Sequence, residues 1–318
     1  AEGMVEEIID GITDNKIGEM NLEQNWGNSI VIKHAEGLYS KISHIKKGSF
    51  RVKIGDRVSR GDLLARGGNS GRSAYPHVHF QFQSTPYVGS KTIYYPLAHF
   101  ISYKDDKADF ITFGNPEKEE QCAAVSKNEL LDRAFHFVPG MRIKARTSVD
   151  GSEVEYLWTV KADIYNNSFI HCEKTNSFAY FQKLAHVHYF RHFTGDKSSL
   201  LFYFFISCYK IQTGFYKNLI IEDKLSPNLI FSKQQMFFQD FIAPFYLYLN
   251  ADYRLHYKKI DDELSPSEIT MKAFVNNRIG GNIVKTLEAG IIIKKKGIRI
   301  SFTENKEQRI YAELDIMQ

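Results

Sequence analysis

The stretch at residues 52–65 reads VKIGDRVSRGDLLA, in which two Gly-Asp pairs divide the apolar residues into short runs. Similar apolar runs lie at residues 30–32, 38–45 and 77–82, and the glycine-rich segment GGNSG occupies residues 67–71. Short apolar runs at this spacing predict β-strands, and the glycines allow the positive φ that tight turns require. We therefore predict that this part of the chain is almost entirely β.

A pair of histidines in the segment PHVHF at residues 76–80 carries the strongest chemical signal. Side chains two residues apart in a strand point to the same face, so His77 and His79 are expected to project together into one cleft. A catalytic zinc commonly takes three protein ligands and keeps one position for water. Paired histidines on a strand are more often structural, so the spacing alone indicates a metal only weakly.

The order of the surrounding motifs is more specific than the histidine pair. Segments GNSIVIKH, YSKISH, VKIGDRVSRGDLLA, GNSGRS and PHVHF follow one another from residue 27 to residue 80. This series closely resembles the core of the LytM/lysostaphin-type zinc metallopeptidases, over about a quarter of the chain. The resemblance implies a duplicated-hairpin β domain of the barrel-sandwich hybrid type, also called a duplicated hybrid motif. It also implies zinc-dependent hydrolysis of peptide bonds in peptidoglycan, on glycine-containing or D-amino-acid stems.

The resemblance assigns roles to three histidines. His79, the second histidine of the pair, corresponds to a zinc ligand of the family. His77 and His44 correspond to residues that flank the metal and act in proton transfer and transition-state stabilisation. His34 matches no catalytic position, and we interpret it as a polar residue at a strand end.

The sequence also departs from the family pattern. Two further zinc ligands of the family, in an H-x3-D element, belong before the segment that matches residues 1–5, and Asp10 and Asp14 lie in the wrong place to replace them. We therefore expect the Zn²⁺ site to be incomplete and this chain alone to be inactive as a peptidase. Two explanations compete: an N-terminal truncation, which the retention of all three histidines favours, or a degenerate relative.

Three other interpretations of the motifs stay open. A LytM-type domain without a complete zinc site would act as a cell-wall-binding or hydrolase-regulating module. The hairpin at residues 52–65 also resembles that of biotinyl and lipoyl carriers, although no Met-Lys-Met accompanies it. A second cluster, His186, His188 and His192, would form a three-histidine zinc site on a straight strand, but partly exposed strand histidines are the favoured interpretation.

The length of 318 residues suggests two domains. We predict the LytM-type domain at residues 1–104, a charged linker at 105–128 and a β-rich domain at 129–318, built as an antiparallel barrel or sandwich. Its long apolar run at residues 200–208 is predicted to be a buried strand, and residues 232–241 a helix. Two groups of aromatic residues, at 202–209 and 237–246, are predicted to be core. The expected role of this domain is positioning or partner binding.

Composition limits the classes of partner. The net charge of +4 comes from 41 basic and 37 acidic residues without a basic block, so we expect no nucleic-acid partner. Three cysteines without close spacing predict neither a disulfide framework nor a thiolate metal site.

We expect no transmembrane segment and no signal peptide in this chain, and a location in the bacterial cell envelope follows from the resemblance. A weaker resemblance, to bacterial proteins in which such domains follow a membrane-embedded urea transporter, suggests a fusion; the oligomeric state is open.

Overall fold

The computed structural model describes residues 2–105, 107–149, 152–184, 186–263, 265–304 and 308–317. It divides into two compact units, Ala1–Pro96 and Leu97–Gln318. Strands dominate both units, which confirms the mainly β class. Within the described residues, no helix is both long enough and apolar enough to cross a membrane.

The N-terminal unit is built on a six-stranded antiparallel sheet with the strand order β4-β1-β2-β3-β5-β6. Its strands are β1 (Gly3–Ile9), β2 (Asn28–Ala35), β3 (Leu38–Ile45), β4 (Arg57–Val58), β5 (His79–Gln83) and β6 (Thr92–Ile93).

One face of this sheet is apolar and the other is polar. Buried aliphatic side chains, including Val5, Ile30 and Ile32, pack together on the apolar face with Val58 from the Gly-Asp stretch. On the polar face β3 and β5 pair so that Ser43 lies opposite His79. The strand alternation predicted from the sequence therefore leaves a row of polar side chains on a largely buried surface, which is where the candidate site lies.

The second unit contains one large sheet, whose strands pair in the order β15-β14-β13-β12-β11-β10-β21-β20-β19-β18-β17-β16-β8-β7-β9. Its strands are β7 (Leu97–Lys104), β8 (Lys107–Gly114), β9 (Gln121–Ala124), β10 (Arg142–Val149), β11 (Ser152–Ala162), β12 (Ser168–Cys172), β13 (Ser177–Leu184), β14 (Val187–Thr194), β15 (Lys210–Gln212), β16 (Ile220–Leu225), β17 (Leu249–Ile260), β18 (Glu268–Ile279), β19 (Asn282–Lys294), β20 (Gly297–Glu304) and β21 (Gln308–Met317). Its helices are α1 (Glu129–Ala134), α2 (Leu200–Ser207), α3 (Pro227–Ile230) and α4 (Lys233–Ile242).

The sheet curls around α2. This helix contacts β13 and β14 on one side and β18 on the other, and these strands are far apart in the pairing order. The Tyr253 hydroxyl donates to the Ser207 carbonyl at 3.0 Å and the Tyr257 hydroxyl to the Gln212 carbonyl at 2.6 Å, which joins β17 to the end of α2 and to β15. Pairing among the described strands runs as an open order, so of the two predicted forms, barrel or sandwich, the closed barrel does not form.

The apolar run at residues 200–208 is a helix, so the prediction of a buried strand was wrong. Ser199 caps it, because its side chain accepts a hydrogen bond from the Phe202 amide. Nearly all side chains of α2 are buried, and an element that is apolar all round shows no periodicity that would separate a helix from a strand. The helix predicted at residues 232–241 is confirmed as α4, with a capping box at Ser232.

The predicted linker at residues 105–128 lies within the second unit and contains β8 and β9. Near its charged start, Lys107 of β8 pairs with Lys104 of β7 in an antiparallel hairpin. Ala108 is buried and Ile101 on β7 is fully buried, so this hairpin contributes to the core of the second unit. The structural division therefore lies at Pro96, earlier than the predicted boundary.

The two aromatic groups of the second unit have opposite environments. Phe204 and Phe205 are buried in the core, as predicted. By contrast, the aromatic side chains on α4 and in the turn after it are exposed, which contradicts the prediction of core; Phe241 is 80% exposed and Phe245 is 90% exposed.

We predict that Phe204→Ala destabilises the second unit by about 3–5 kcal/mol, because the Phe204 ring packs against Trp158 and Phe190 inside the curled sheet. Phe245→Ala, a matched change at an exposed ring, should alter the free energy of unfolding by less than about 0.5 kcal/mol. Denaturant unfolding followed by Trp158 fluorescence in a Trp26→Phe background measures both. Equal effects of the two changes would contradict the central position of α2.

Candidate functional site

Three histidines converge on the polar face of the N-terminal sheet. The ring centroids of His44 and His77 are 4.7 Å apart, and those of His44 and His79 are 6.0 Å apart. His44 is buried, His79 is half-buried and His77 is exposed. The structure thus brings together the residues that the sequence singled out, although β5 begins only at His79, so His77 lies just before the strand.

A bulge in β3 directs His44 to this face. Asn28 pairs with Ile45 and Ile30 pairs with Ile42, so two residues of β3 lie opposite the single residue Ser29 of β2. His44 has φ of 63°, a conformation that is uncommon for residues other than glycine. In regular alternation His44 would point away from the face that carries Ser43 and His79, and the bulge reverses this direction.

Two glycines allow the loops around His44 to meet. A Cβ atom on Gly27 would lie 2.4 Å from the Ser70 carbonyl oxygen, and one on Gly71 would lie 2.3 Å from the Gly27 nitrogen. Both glycines have positive φ. Because neither carries a side chain, the Ser70 carbonyl reaches within 2.7 Å of His44 Nδ1.

The contact with Ser70 sets the tautomer of His44. A carbonyl oxygen can only accept, so Nδ1 of His44 donates and Nε2 keeps its lone pair. Burial lowers the pKa of His44 below the usual value, so the ring is neutral at pH 7. A neutral imidazole with a free Nε2 is able to accept a proton.

His77 has the same orientation of donor and acceptor. Its Nδ1 lies 2.8 Å from the Tyr75 carbonyl oxygen and 3.0 Å from Ser73 Oγ. The carbonyl requires Nδ1 to donate, which again leaves Nε2 free. His79 differs, since its Nε2 lies 2.9 Å from Gln81 Oε1.

The described residues do not form a complete metal site. His79 supplies an imidazole, a donor that zinc accepts, but no group of three or more His, Cys, Asp or Glu side chains in the described part of the chain has the arrangement of a metal site. The residues that the structure describes therefore do not supply a complete set of zinc ligands.

The second histidine cluster does not assemble. A bulge at Tyr180/Phe181 pairs Phe181 with Phe190 and so leaves His192 out of register with His188. His188 is fully buried among phenylalanine rings, and burial lowers its pKa to about 3. His192 is exposed. The prediction of partly exposed strand histidines is wrong for His188, which is fully buried among aromatic rings, whereas His192 is exposed.

Comparison with known proteins identifies the N-terminal unit. The model of Peptidase family M23 matches residues 6–91. Residues 6–91 form a LytM-type domain of this family. The sequence is 35% identical to glycyl-glycine endopeptidase ALE-1 of Staphylococcus capitis over 79 residues, which are 23% of this chain and 20% of that protein. It is 38% identical to peptidoglycan DD-endopeptidase ShyA of Vibrio cholerae serotype O1 over 87 residues, 27% of this chain and 19% of that protein.

A further relative is a phage enzyme. The sequence is 31% identical to endolysin 2638A of Staphylococcus phage 2638A over 78 residues, which are 24% of this chain and 16% of that protein. The chain therefore spans about a fifth of the length of these curated relatives, and the similarity concerns the M23 domain.

The M23 domain also contains a lysine that sequence reasoning missed. Lys41 on β3 is fully buried, and its Nζ has no hydrogen-bond partner among the described residues. The ammonium lies 3.0 Å from the centroid of the Trp26 ring, and this ring lies 5.2 Å from that of His79. Burial lowers the pKa of Lys41 to about 8. Its even spacing from Ser43 and Tyr39, on the polar face of β3, was the signal available in the sequence.

His34 has the structural role that the sequence indicated. Its two ring nitrogens contact the Glu2 carbonyl oxygen at 2.8 Å and Ser40 Oγ at 2.7 Å. It therefore joins β1, β2 and β3 near their ends. A substitution of His34 serves as the control for substitutions of the three converging histidines.

We predict that Lys41→Met stabilises the M23 domain by about 1–3 kcal/mol at pH 7, because it removes a buried charge without an anionic partner. The pKa of Lys41 is about 8 in the folded protein and 10.5 for an ordinary lysine. At pH values between these two, the unfolded chain holds a proton that the folded chain has lost, so the stability of the native sequence rises with pH. The advantage of Lys41→Met should therefore shrink from pH 7 to pH 10.

Denaturant unfolding at both pH values, followed by Trp26 fluorescence in a Trp158→Phe background, measures this difference. The exposed Lys47 provides the control, and Lys47→Met should change stability by less than about 0.5 kcal/mol at either pH. A Lys41→Met protein that is less stable than the native sequence at pH 7 would show that the contact with Trp26 outweighs the cost of burial.

Proposed function

We propose that the M23 domain is a zinc metalloendopeptidase domain that cleaves peptide bonds in peptidoglycan cross-links. The observation that carries this proposal is the convergence of His44, His77 and His79, with hydrogen bonds that orient each ring. The match to Peptidase family M23 and the similarity to two peptidoglycan-cleaving or glycyl-glycine-cleaving enzymes support the class of substrate. Such a substrate places the protein in the bacterial cell envelope.

In this proposal His44 and His77 handle protons and charge. Each ring keeps the lone pair on Nε2, because its Nδ1 is held by a backbone carbonyl. A neutral Nε2 takes a proton from water, and once protonated it donates to the leaving amine or to the oxygen of the scissile carbonyl. The short distance between the two rings allows both to act on one peptide bond.

His79 is the proposed zinc ligand within this chain. Zinc, when bound, supplies a Lewis acid that lowers the pKa of coordinated water to about 7. The described residues contribute one ligand of the kind required, so we propose that the remaining ligands lie outside them. The second unit is proposed to position the M23 domain or to bind a partner.

A non-catalytic cell-wall-binding or regulatory module is the alternative. The observation that favours it is the absence of a three-ligand group from the described part of the chain. Such a module would bind peptidoglycan through the same cleft without cutting it.

We expect His77→Ala to reduce muropeptide release by about 10²–10⁴-fold, because the loss of one positioned proton-transfer group has this magnitude. His44→Ala should reduce it similarly, whereas His34→Ala, at a structural histidine, should leave the rate per folded molecule unchanged. The measurement is chromatography of muropeptides released from purified cell walls with added Zn²⁺. It uses this chain and a second polypeptide that also carries any residues encoded in frame before Ala1.

The zinc content of both polypeptides, measured in parallel, separates the two functions. Stoichiometric zinc with cleavage supports the peptidase. If the extended protein sediments with cell walls but neither binds zinc nor releases muropeptides, the peptidase proposal fails and the binding module stands.

A further inference from the structure

The side chains of β5 form a chain of hydrogen bonds that has only one possible direction. It begins at Gln83, which is fully buried. The carbonyl oxygens of Thr85 and Tyr87 lie 2.8 and 3.0 Å from one terminal atom of the Gln83 amide. Since carbonyl oxygens only accept, that atom is the donor nitrogen Nε2, and Oε1 of Gln83 must face the other way.

Gln81 continues the chain in the same direction. Its Nε2 donates to Gln83 Oε1 at 2.9 Å and to the Ser90 carbonyl oxygen at 3.1 Å. Gln81 is 4% exposed, so a flipped amide would bring like groups together without water to relieve them, at a cost of about 1–3 kcal/mol for an unsatisfied group. Oε1 of Gln81 therefore faces His79.

The chain ends at the ring of His79. Oε1 of Gln81 can only accept, so His79 Nε2, at 2.9 Å, carries the proton. Nδ1 of His79 is left with its lone pair. This tautomer is the opposite of the one that the backbone carbonyls impose on His44 and His77.

We propose that Gln81 and Gln83 are positioning residues that hold His79 as the Nε2-protonated tautomer and leave the lone pair on Nδ1. The three side chains alternate along β5, at positions 79, 81 and 83, so the strand itself aligns them on one face. A hydrogen bond to the far nitrogen of an imidazole fixes both the rotation of the ring and the nitrogen that is available as a ligand. The consequence for zinc rests on the proposed function, but the tautomer does not.

The tautomer of His79 is measured directly by NMR of the ¹⁵N-labelled chain without metal. We expect a protonated Nε2, an unprotonated Nδ1 and an Nε2–H signal that exchanges slowly with water. Gln81→Leu should accelerate this exchange at least about tenfold, since a hydrogen bond of about 1.4 kcal/mol is lost. Gln81→Glu keeps an acceptor for His79 but loses the donor to Gln83 and Ser90, so Nε2 should stay protonated and exchange more slowly than in Gln81→Leu. Gln83→Leu should give an intermediate rate because the Gln81 amide loses a fixed partner.

The ring of His34, which bonds to Ser40 and not to β5, is the internal control and should not change in any variant. A native His79 with a protonated Nδ1 would overturn the proposal. Unchanged exchange of the Nε2–H proton in Gln81→Leu would overturn it as well.

Titration of the native chain with Zn²⁺ then distinguishes this inference from the proposed function. A shift confined to His79 Nδ1 supports both. If the tautomer is as expected but no ring nitrogen responds to zinc, the positioning role of Gln81 stands and zinc binding by this chain fails.

Discussion

The close approach of Gly27 and Gly71 is the constraint on which the candidate site depends. Any side chain at either position would collide with backbone of the opposite loop, and the two loops would separate. Separation would withdraw the Ser70 carbonyl from His44 and leave a buried imidazole nitrogen without its partner. The bulge that turns His44 toward the other histidines is held by the same region, since Ser70 Oγ also donates to the Ile45 carbonyl.

The sequence predicted which histidines lie together better than it predicted the second unit. Strand alternation and the ordered motifs were sufficient to select His44, His77 and His79, because the family resemblance carries positions that spacing alone does not. The tautomers were beyond this reasoning, since they depend on carbonyls such as those of Ser70 and Tyr75 in loops whose conformation the sequence does not specify. Lys41 escaped notice because a lysine in a strand is usually exposed.

In the second unit, composition misled in both directions. The apolar run of α2 lacks the amphipathic period of a surface helix because the sheet surrounds it, so a strand was the natural interpretation. The charged residues near Lys104 suggested a connection, yet Lys104 and Lys107 pair in a hairpin whose strands contribute to the core. The aromatic residues of α4 look like core in the sequence and are exposed in the structure, which local composition cannot distinguish.

The hydrogen-bond chain on β5 ends at backbone atoms of the loop between β5 and β6, and this has an evolutionary consequence. Tyr87 contributes its carbonyl oxygen to Gln83, while its ring is 72% exposed. A different side chain at this position would change the exposed surface of the loop without disturbing the imidazole that its main chain supports. Under the proposed function, selectivity and chemistry could therefore diverge independently, because the loop would meet a peptide through its side chains and supports the histidine through its main chain.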